Sequence, residues 1–149
     1  MPSKVRVLDF ADLKKTLEAS SKGPLDTLAK KHGVVYVMIV TRDRCPSCKE
    51  QKPLFGKLAN RMRKKYADQI EFLRVHSSYS RERTEEAKQC LDVFHTVGFP
   101  TYIIAIRDNG GNTLETYRSL DAPTKEIERN IKMGITVINL IRERSETPN

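Results

Sequence analysis

Seven consecutive residues, Val34-Val35-Tyr36-Val37-Met38-Ile39-Val40, are apolar or aromatic, and most are β-branched. A strand with one wet face alternates apolar and polar side chains; a strand covered on both faces need not alternate. The run therefore predicts a central strand whose sheet carries helices on both sides. A short loop, Thr41-Arg42-Asp43-Arg44, leads from it into Cys45-Pro46-Ser47-Cys48 and a helix-like segment. Dithiol redox chemistry uses this order of strand, Cys-x-x-Cys and helix. A helix N-terminus offers unpaired N–H groups and a partial positive charge, and both favour a thiolate.

The remaining segments read as elements of one sheet and its helices. Residues 5–8 form a short strand, followed by an N-cap at Asp9 and a helical face of Phe10, Leu13 and Leu17. Pro24 opens an extra short helix over about residues 24–32, closed by Gly33. After Pro46, the residues Leu54, Leu58, Met62 and Tyr66 recur every four positions, with Phe55 and Ala59 alongside. Pro53 lies inside this helix and is expected to kink it. Residues 70–75 alternate as a strand. Residues 80–95 read as a helix with Ala87, Leu91 and Phe94 inward, and Gly98-Phe99-Pro100 ends it. Residues 101–106 read as a second buried strand, and Asp108-Asn109-Gly110-Gly111 signals a hairpin to a strand at 113–118. Ile127, Ile131, Ile135, Ile138 and Ile141 or Arg142 mark the stripe of a last helix, and residues 144–149 read as a disordered tail. The expected class is α/β, with a central mixed sheet flanked by helices on both faces. No repeat or linker divides the chain, so residues 1–149 are read as a single domain.

Charge and cysteine usage narrow the chemistry. The net charge is +8, but 19 acidic residues are interspersed with 27 basic ones, which reads as a solvated basic surface rather than a nucleic-acid site. Three cysteines are too few for a secreted disulfide framework. No apolar run approaches the roughly 20 residues that span a membrane, and the first residues lack the features of a signal peptide. The expected location is the cytoplasm. A lone Cys-x-x-Cys also serves zinc and iron–sulfur sites. The other candidate ligands, Cys90, His32, His76 and His95, form no second paired motif, so no metal is expected. Cys90 lies between Ala87 and Leu91 and reads as a small buried hydrophobe. His76 and His95 read as structural or solvated rather than catalytic.

Four features together resemble the thioredoxin-like superfamily: Cys45-Pro46-Ser47-Cys48 after a buried strand, Lys49 directly after the second cysteine, Pro53 five residues past Cys48, and Gly98-Phe99-Pro100-Thr101 before a strand. The resemblance spans about residues 34–118. Within it the chain looks like a divergent single-domain member. It has no tryptophan, with Arg44 before the first cysteine where thioredoxins usually carry one. Its Cys-Pro-x-Cys order is similar to that of glutaredoxins and archaeal disulfide oxidoreductases. Ile39 stands about where thioredoxin keeps a buried aspartate.

The resemblance implies a thiol–disulfide oxidoreductase. Cys45 would be the nucleophile and Cys48 the resolving thiol, cycling as a Cys45–Cys48 redox disulfide with no bound cofactor. Arg44, Pro46, Ser47, Lys49 and Pro53 would support the pair, with Arg42 and Lys52 adding positive charge that favours thiolate. Pro100 would be cis and lie against the cysteines, and the backbone at Phe99 would pair with the substrate chain. The implied partners are disulfide-containing client proteins and a flavin-dependent, thioredoxin-reductase-type enzyme. Two other readings remain at this level: a glutathione-dependent enzyme of glutaredoxin type, and a non-catalytic thioredoxin-like binding module.

Overall fold

All but the first residue of the apolar run lies in the middle strand of a five-stranded sheet. The computed structural model describes residues 4–108 and 110–146. In chain order the elements are β1 (Val5–Asp9), α1 (Phe10–Glu18), α2 (Pro24–Leu28), β2 (Val35–Arg42), α3 (Pro46–Tyr66), β3 (Ile70–Ser77), α4 (Glu85–Phe94), β4 (Thr101–Arg107), β5 (Thr113–Leu120) and α5 (Thr124–Glu146). The strand order is β1-β3-β2-β4-β5. β1 and β2 run parallel to β3, and β4 runs antiparallel to both β2 and β5. The sheet is therefore mixed, as expected.

Two apolar layers sandwich this sheet. On one face Val35, Val37, Ile39, Ile70 and Phe72 pack against Phe55, Leu58 and Met62 of α3 and the isoleucine stripe of α5. On the other, Tyr36, Met38, Val40, Leu73 and Val75 pack against Phe10 and Leu13 of α1 and Cys90 and Phe94 of α4. Successive β2 residues thus alternate between two dry layers, which is why the run itself does not alternate in polarity. α5 approaches the sheet closely at Gly134, where an added Cβ would lie 3.2 Å from Val35 Cγ1. Gly134→Val is accordingly expected to lower stability by about 1–3 kcal/mol through overpacking. A reduced urea midpoint would register it, and an unchanged midpoint would contradict close packing here.

Several boundaries differ from the sequence expectation. The row Leu54, Leu58, Met62, Tyr66 does not share one face: Leu54 is exposed, while Phe55, Leu58, Ala59 and Met62 are buried. Four residues advance about 400° around a helix, so a strict every-four row drifts off the buried line. The helix runs on through Pro53 without interruption. α2 ends at Leu28 rather than near residue 32, because Ala29 leaves helical geometry (ψ 73°). Arg107 Nη1 donates to the carbonyls of Asp26 and Ala29, satisfying acceptors that another turn would have paired.

α4 starts at Glu85, not at residue 80. Ser80 and Arg83 close a tight turn through reciprocal backbone hydrogen bonds, and Ser80 Oγ accepts from Arg83 N as well. Its buried face is Ala87, Cys90 and Phe94, with Leu91 only half-buried. Asp9 stands at the N-cap of α1 but makes no side-chain cap. Residues 144–146, expected as tail, continue α5, whose last turn carries Arg144 where positive charge suits the helix C-terminus. The rest of the expected tail, 147–149, and the hairpin residue Asn109 lie outside the described residues.

Candidate active site

β2 delivers the chain to the site. Its last residues, Thr41 and Arg42, extend the strand past the expected boundary. Arg44 then takes a left-handed backbone conformation (φ 55°), which a non-glycine residue adopts at a cost. Arg42 holds this turn by donating from Nη1 to the carbonyls of Asp43 (2.7 Å) and Arg44 (3.0 Å). Its guanidinium lies 4.0 Å above the Tyr79 ring and 5.9 Å from the centre of the Phe99 ring.

Cys45 is the N-cap residue of α3, with extended backbone, and Pro46 follows at the first helical position. Cys45 Sγ accepts a hydrogen bond from Cys48 N at 3.2 Å. The sulfur thus occupies the place of a capping oxygen, facing the unpaired amides of the first turn. Cys45 and Cys48 are joined as a disulfide and are 8% and 5% exposed. Ser47 is half-buried, and Lys49, Lys52 and Pro53 are exposed. One turn past Cys48, Gln51 Oε1 accepts from the buried Tyr102 hydroxyl at 2.7 Å, tying the active-site end of α3 to β4. Burial raises the pKa of Tyr102 and keeps it protonated.

A pocket of about 630 Å³ opens beside the disulfide, lined by both cysteines and by Arg42, Arg44, Lys49, Lys52, Arg74 and His76. Asp43 is its sole carboxylate. His76 Nε2 donates to Asp43 Oδ1 at 2.7 Å, and Tyr79 N donates to Asp43 Oδ2. The His76 bond is the main cause that holds the Asp43 carboxyl below its ordinary pKa. His76 Nδ1 meets the buried Thr41 hydroxyl at 2.8 Å. The negative charge of Asp43 is therefore already engaged, and the field around the sulfurs is net positive.

Phe99 and Pro100 come from the far side of β2. The Phe99–Pro100 peptide bond is cis. Thr101 is the register partner of Val40, so Pro100 lies across from Thr41, at the strand end that feeds Cys45. Pro100 is buried and its carbonyl accepts from Asp121 N at 3.0 Å; Phe99 is half-buried and reaches the site through Arg42. Pro53 faces a different hollow, with Val5, Phe55 and Arg74.

Sequence reasoning did not single out Arg74 and read His76 as structural or solvated rather than catalytic; both line the pocket beside the dithiol, where His76 braces Asp43 and Thr41. Both lie on the face of β3 that also carries Ile70 and Phe72, and their Cα partners on β2 are Ile39 and Thr41. Two polar residues continuing an apolar row toward the dithiol end of the sheet were the available signal.

Cys90 lies in the opposite layer and is fully buried. Desolvation pushes its thiol up to about 12. Native protein is expected to leave Cys90 unmodified by iodoacetamide at mildly alkaline pH and to label it only on unfolding, as peptide mass would show. His95 ends α4 with a left-handed backbone, exposed and outside the pocket.

No family model and no curated protein sequence matches the chain. Solved structures do. A thioredoxin from Nicotiana alata superposes with a TM-score of 0.58 at 20% identity, covering 89% of this chain and 94% of that one. The thioredoxin of Malassezia sympodialis gives 0.55 at 15%, covering 89% and 91%. A complex of ferredoxin: thioredoxin reductase and thioredoxin f2 gives 0.55 at 15%, covering 90% and 98%. The fold is thus the thioredoxin-like α/β fold, and it carries a Cys-x-x-Cys pair at the head of α3. Among the described residues no helix is long and apolar enough to cross a membrane.

Proposed function

We propose, from a thioredoxin-like fold with a dithiol at a helix N-terminus, that this chain is a thiol–disulfide oxidoreductase acting on protein disulfides. One observation carries the reading. Cys45 caps α3 within bonding distance of Cys48, in a pocket whose charges are mostly positive. That setting favours the thiolate that thiol exchange requires.

In the proposed cycle the Cys45 thiolate attacks one sulfur of a client disulfide. A Cys45–client bond forms, the client S–S bond breaks, and the departing client thiolate takes a proton. Cys48, losing its proton, then attacks Cys45 Sγ and releases the second client thiol. Two electrons pass to the client and the Cys45–Cys48 disulfide remains. The backbone at Phe99 and Pro100 is assigned to pair with the client chain, and Arg44, Pro46, Ser47, Lys49 and Pro53 to support the dithiol. No bound cofactor is required. A thioredoxin-reductase-type enzyme, proposed to be flavin-dependent, would return two electrons and two protons. The likeness to a thioredoxin solved with ferredoxin: thioredoxin reductase supports a reductase as partner. The cytoplasm is the proposed location, and one domain the proposed organisation.

Equilibration of the protein in graded dithiothreitol buffers, followed by alkylation, tests the reading. A two-electron transition of Cys45 and Cys48 within about −120 to −270 mV, the span of known exchangers, is expected. A pair that stays fixed in one state across that span would remove it.

A further inference from the structure

We propose that Arg74 is a positioning residue for the dithiol: its guanidinium has no counter-charge while Cys45 and Cys48 are bonded, and the thiolate formed on reduction supplies one. The inference rests on the exchange function proposed above and concerns what sets the redox balance of that same site.

Arg74 occupies a position that the sheet otherwise fills with apolar side chains. It shares a face of β3 with Ile70 and Phe72, and its register neighbours are Ile39 on β2 and Val7 on β1. Phe72, two residues earlier, packs edge-on against Phe55 of α3 with ring centres 5.4 Å apart. β3 runs toward the dithiol end of the sheet, so Arg74 lies about 6.6 Å further along than Phe72. α3 runs the opposite way, placing Lys52 and then Cys48 on the side of Phe55 toward which Arg74 extends. Arg74, Lys52, Cys45 and Cys48 all line the space beside the disulfide.

Arg74 Nε is buried without a hydrogen-bond partner, and Arg74 joins no ion pair among the described residues. Arg107 Nε is likewise unpaired, but Arg107 Nη1 donates to two carbonyls. Burial disfavours the charged form of Arg74, yet a guanidinium keeps its proton in proteins. Arg74 as a whole is half-buried, and a partly desolvated cation with no ion-pair partner is stabilised by an anion formed nearby. The other charges facing the dithiol are Arg42, Asp43 and Arg44 from the loop, Lys49 and Lys52 from α3, and His76 from β3. β1 adds Asp9, the register partner of His76. Asp43 is engaged by His76, and the residue beside Arg74 on β2, Ile39, is apolar.

The electron balance gives the sign. Reduction of Cys45–Cys48 by a dithiol takes two electrons and two protons and breaks the S–S bond; Cys45 then releases a proton to solvent and becomes thiolate. Arg74 favours that product over the disulfide, so it raises the reduction potential and the thiolate fraction together.

The test uses the full chain as wild type, Arg74→Met, Arg74→Gln, Arg74→Lys and Lys52→Met, each checked for an unfolding transition. Thiolate is followed by its ultraviolet absorbance against pH, and the potential by dithiothreitol equilibration. Arg74→Met and Arg74→Gln are expected to lower the thiolate fraction at a fixed pH about tenfold, as removal of one charge within about 10 Å of a partly dry site does. The equilibrium constant for reduction should fall about tenfold with it, ~30 mV to more negative potential. Arg74→Lys should restore both to within about twofold of wild type. Lys52→Met, which removes an exposed charge from the same pocket, should change both less than Arg74→Met. Titrations and potentials that coincide across wild type, Arg74→Met and Arg74→Gln would overturn the proposal, as would a Lys52→Met effect equal to that of Arg74→Met. Insulin reduction by the wild type is measured in parallel. If it succeeds while the Arg74 variants titrate as wild type, this inference alone falls; if the wild type fails, the exchange reading falls first.

Discussion

Cys45→Ser is expected to bring the reduction of insulin disulfides by this protein down to the uncatalysed background, a loss of at least about a thousandfold. The cause is chemical. A serine oxygen holds its proton at neutral pH and forms no stable bond to a disulfide sulfur, so the mixed disulfide never appears. The substitution leaves the fold intact, because a hydroxyl at the N-cap of α3 accepts the Cys48 N–H that Cys45 Sγ accepts now. Activity that vanishes while the unfolding transition persists therefore reports chemistry and not collapse. Cys90→Ala serves as the companion variant. Cys90 lies across the sheet in the other apolar layer, and its loss should leave the rate within about twofold. Equal rates for wild type and Cys45→Ser would place the reaction elsewhere.

Phe72→Ala is expected to cost about 3–5 kcal/mol, the range for deleting a buried aromatic ring. That is a large share of the ~5–15 kcal/mol by which ordinary domains are stable. Phe72 is 1% exposed and sits on the central face of β3, with the Phe55 ring set edge-on against it. Phe55 also lies 6.0 Å from Tyr102 between ring centres. Removing the Phe72 ring leaves a hole beneath the segment of α3 that joins the dithiol to the rest of the helix. The urea midpoint should drop with the slope of the transition unchanged. A loss below about 1 kcal/mol would mean that α3 is held chiefly by other contacts.

The architecture was legible where a single local pattern determines burial. The unbroken apolar run could be satisfied only by a strand with helices on both sides, and β2 is that strand. The isoleucines of α5 recur at helical spacing; Ile127, Ile131, Ile135 and Ile138 are buried, and Ile141 is half-buried against the same layer. Cys90 was legible as a hydrophobe because its neighbours on the helix were apolar. Legibility failed where the outcome depended on an element distant in sequence. Leu54 and Phe55 were equivalent candidates until the sheet fixed which face of α3 turns inward. The early end of α2 depends on Arg107, more than 70 residues away. At the candidate site the same divide holds. Cys45, Cys48 and the loop cations are contiguous in sequence and could be grouped from it. Arg74 and His76 become part of the site only because β3 lies beside β2 and α3 folds back over both.

The most direct measurement is a trap. Cys48→Ser protein, reduced and then mixed with a protein disulfide such as oxidised insulin, lacks the thiol that releases the client. The account predicts a stable covalent adduct in near-stoichiometric yield, removed by dithiothreitol, with peptide mass placing the client on Cys45. No adduct, or an adduct carried by Cys90, would contradict it.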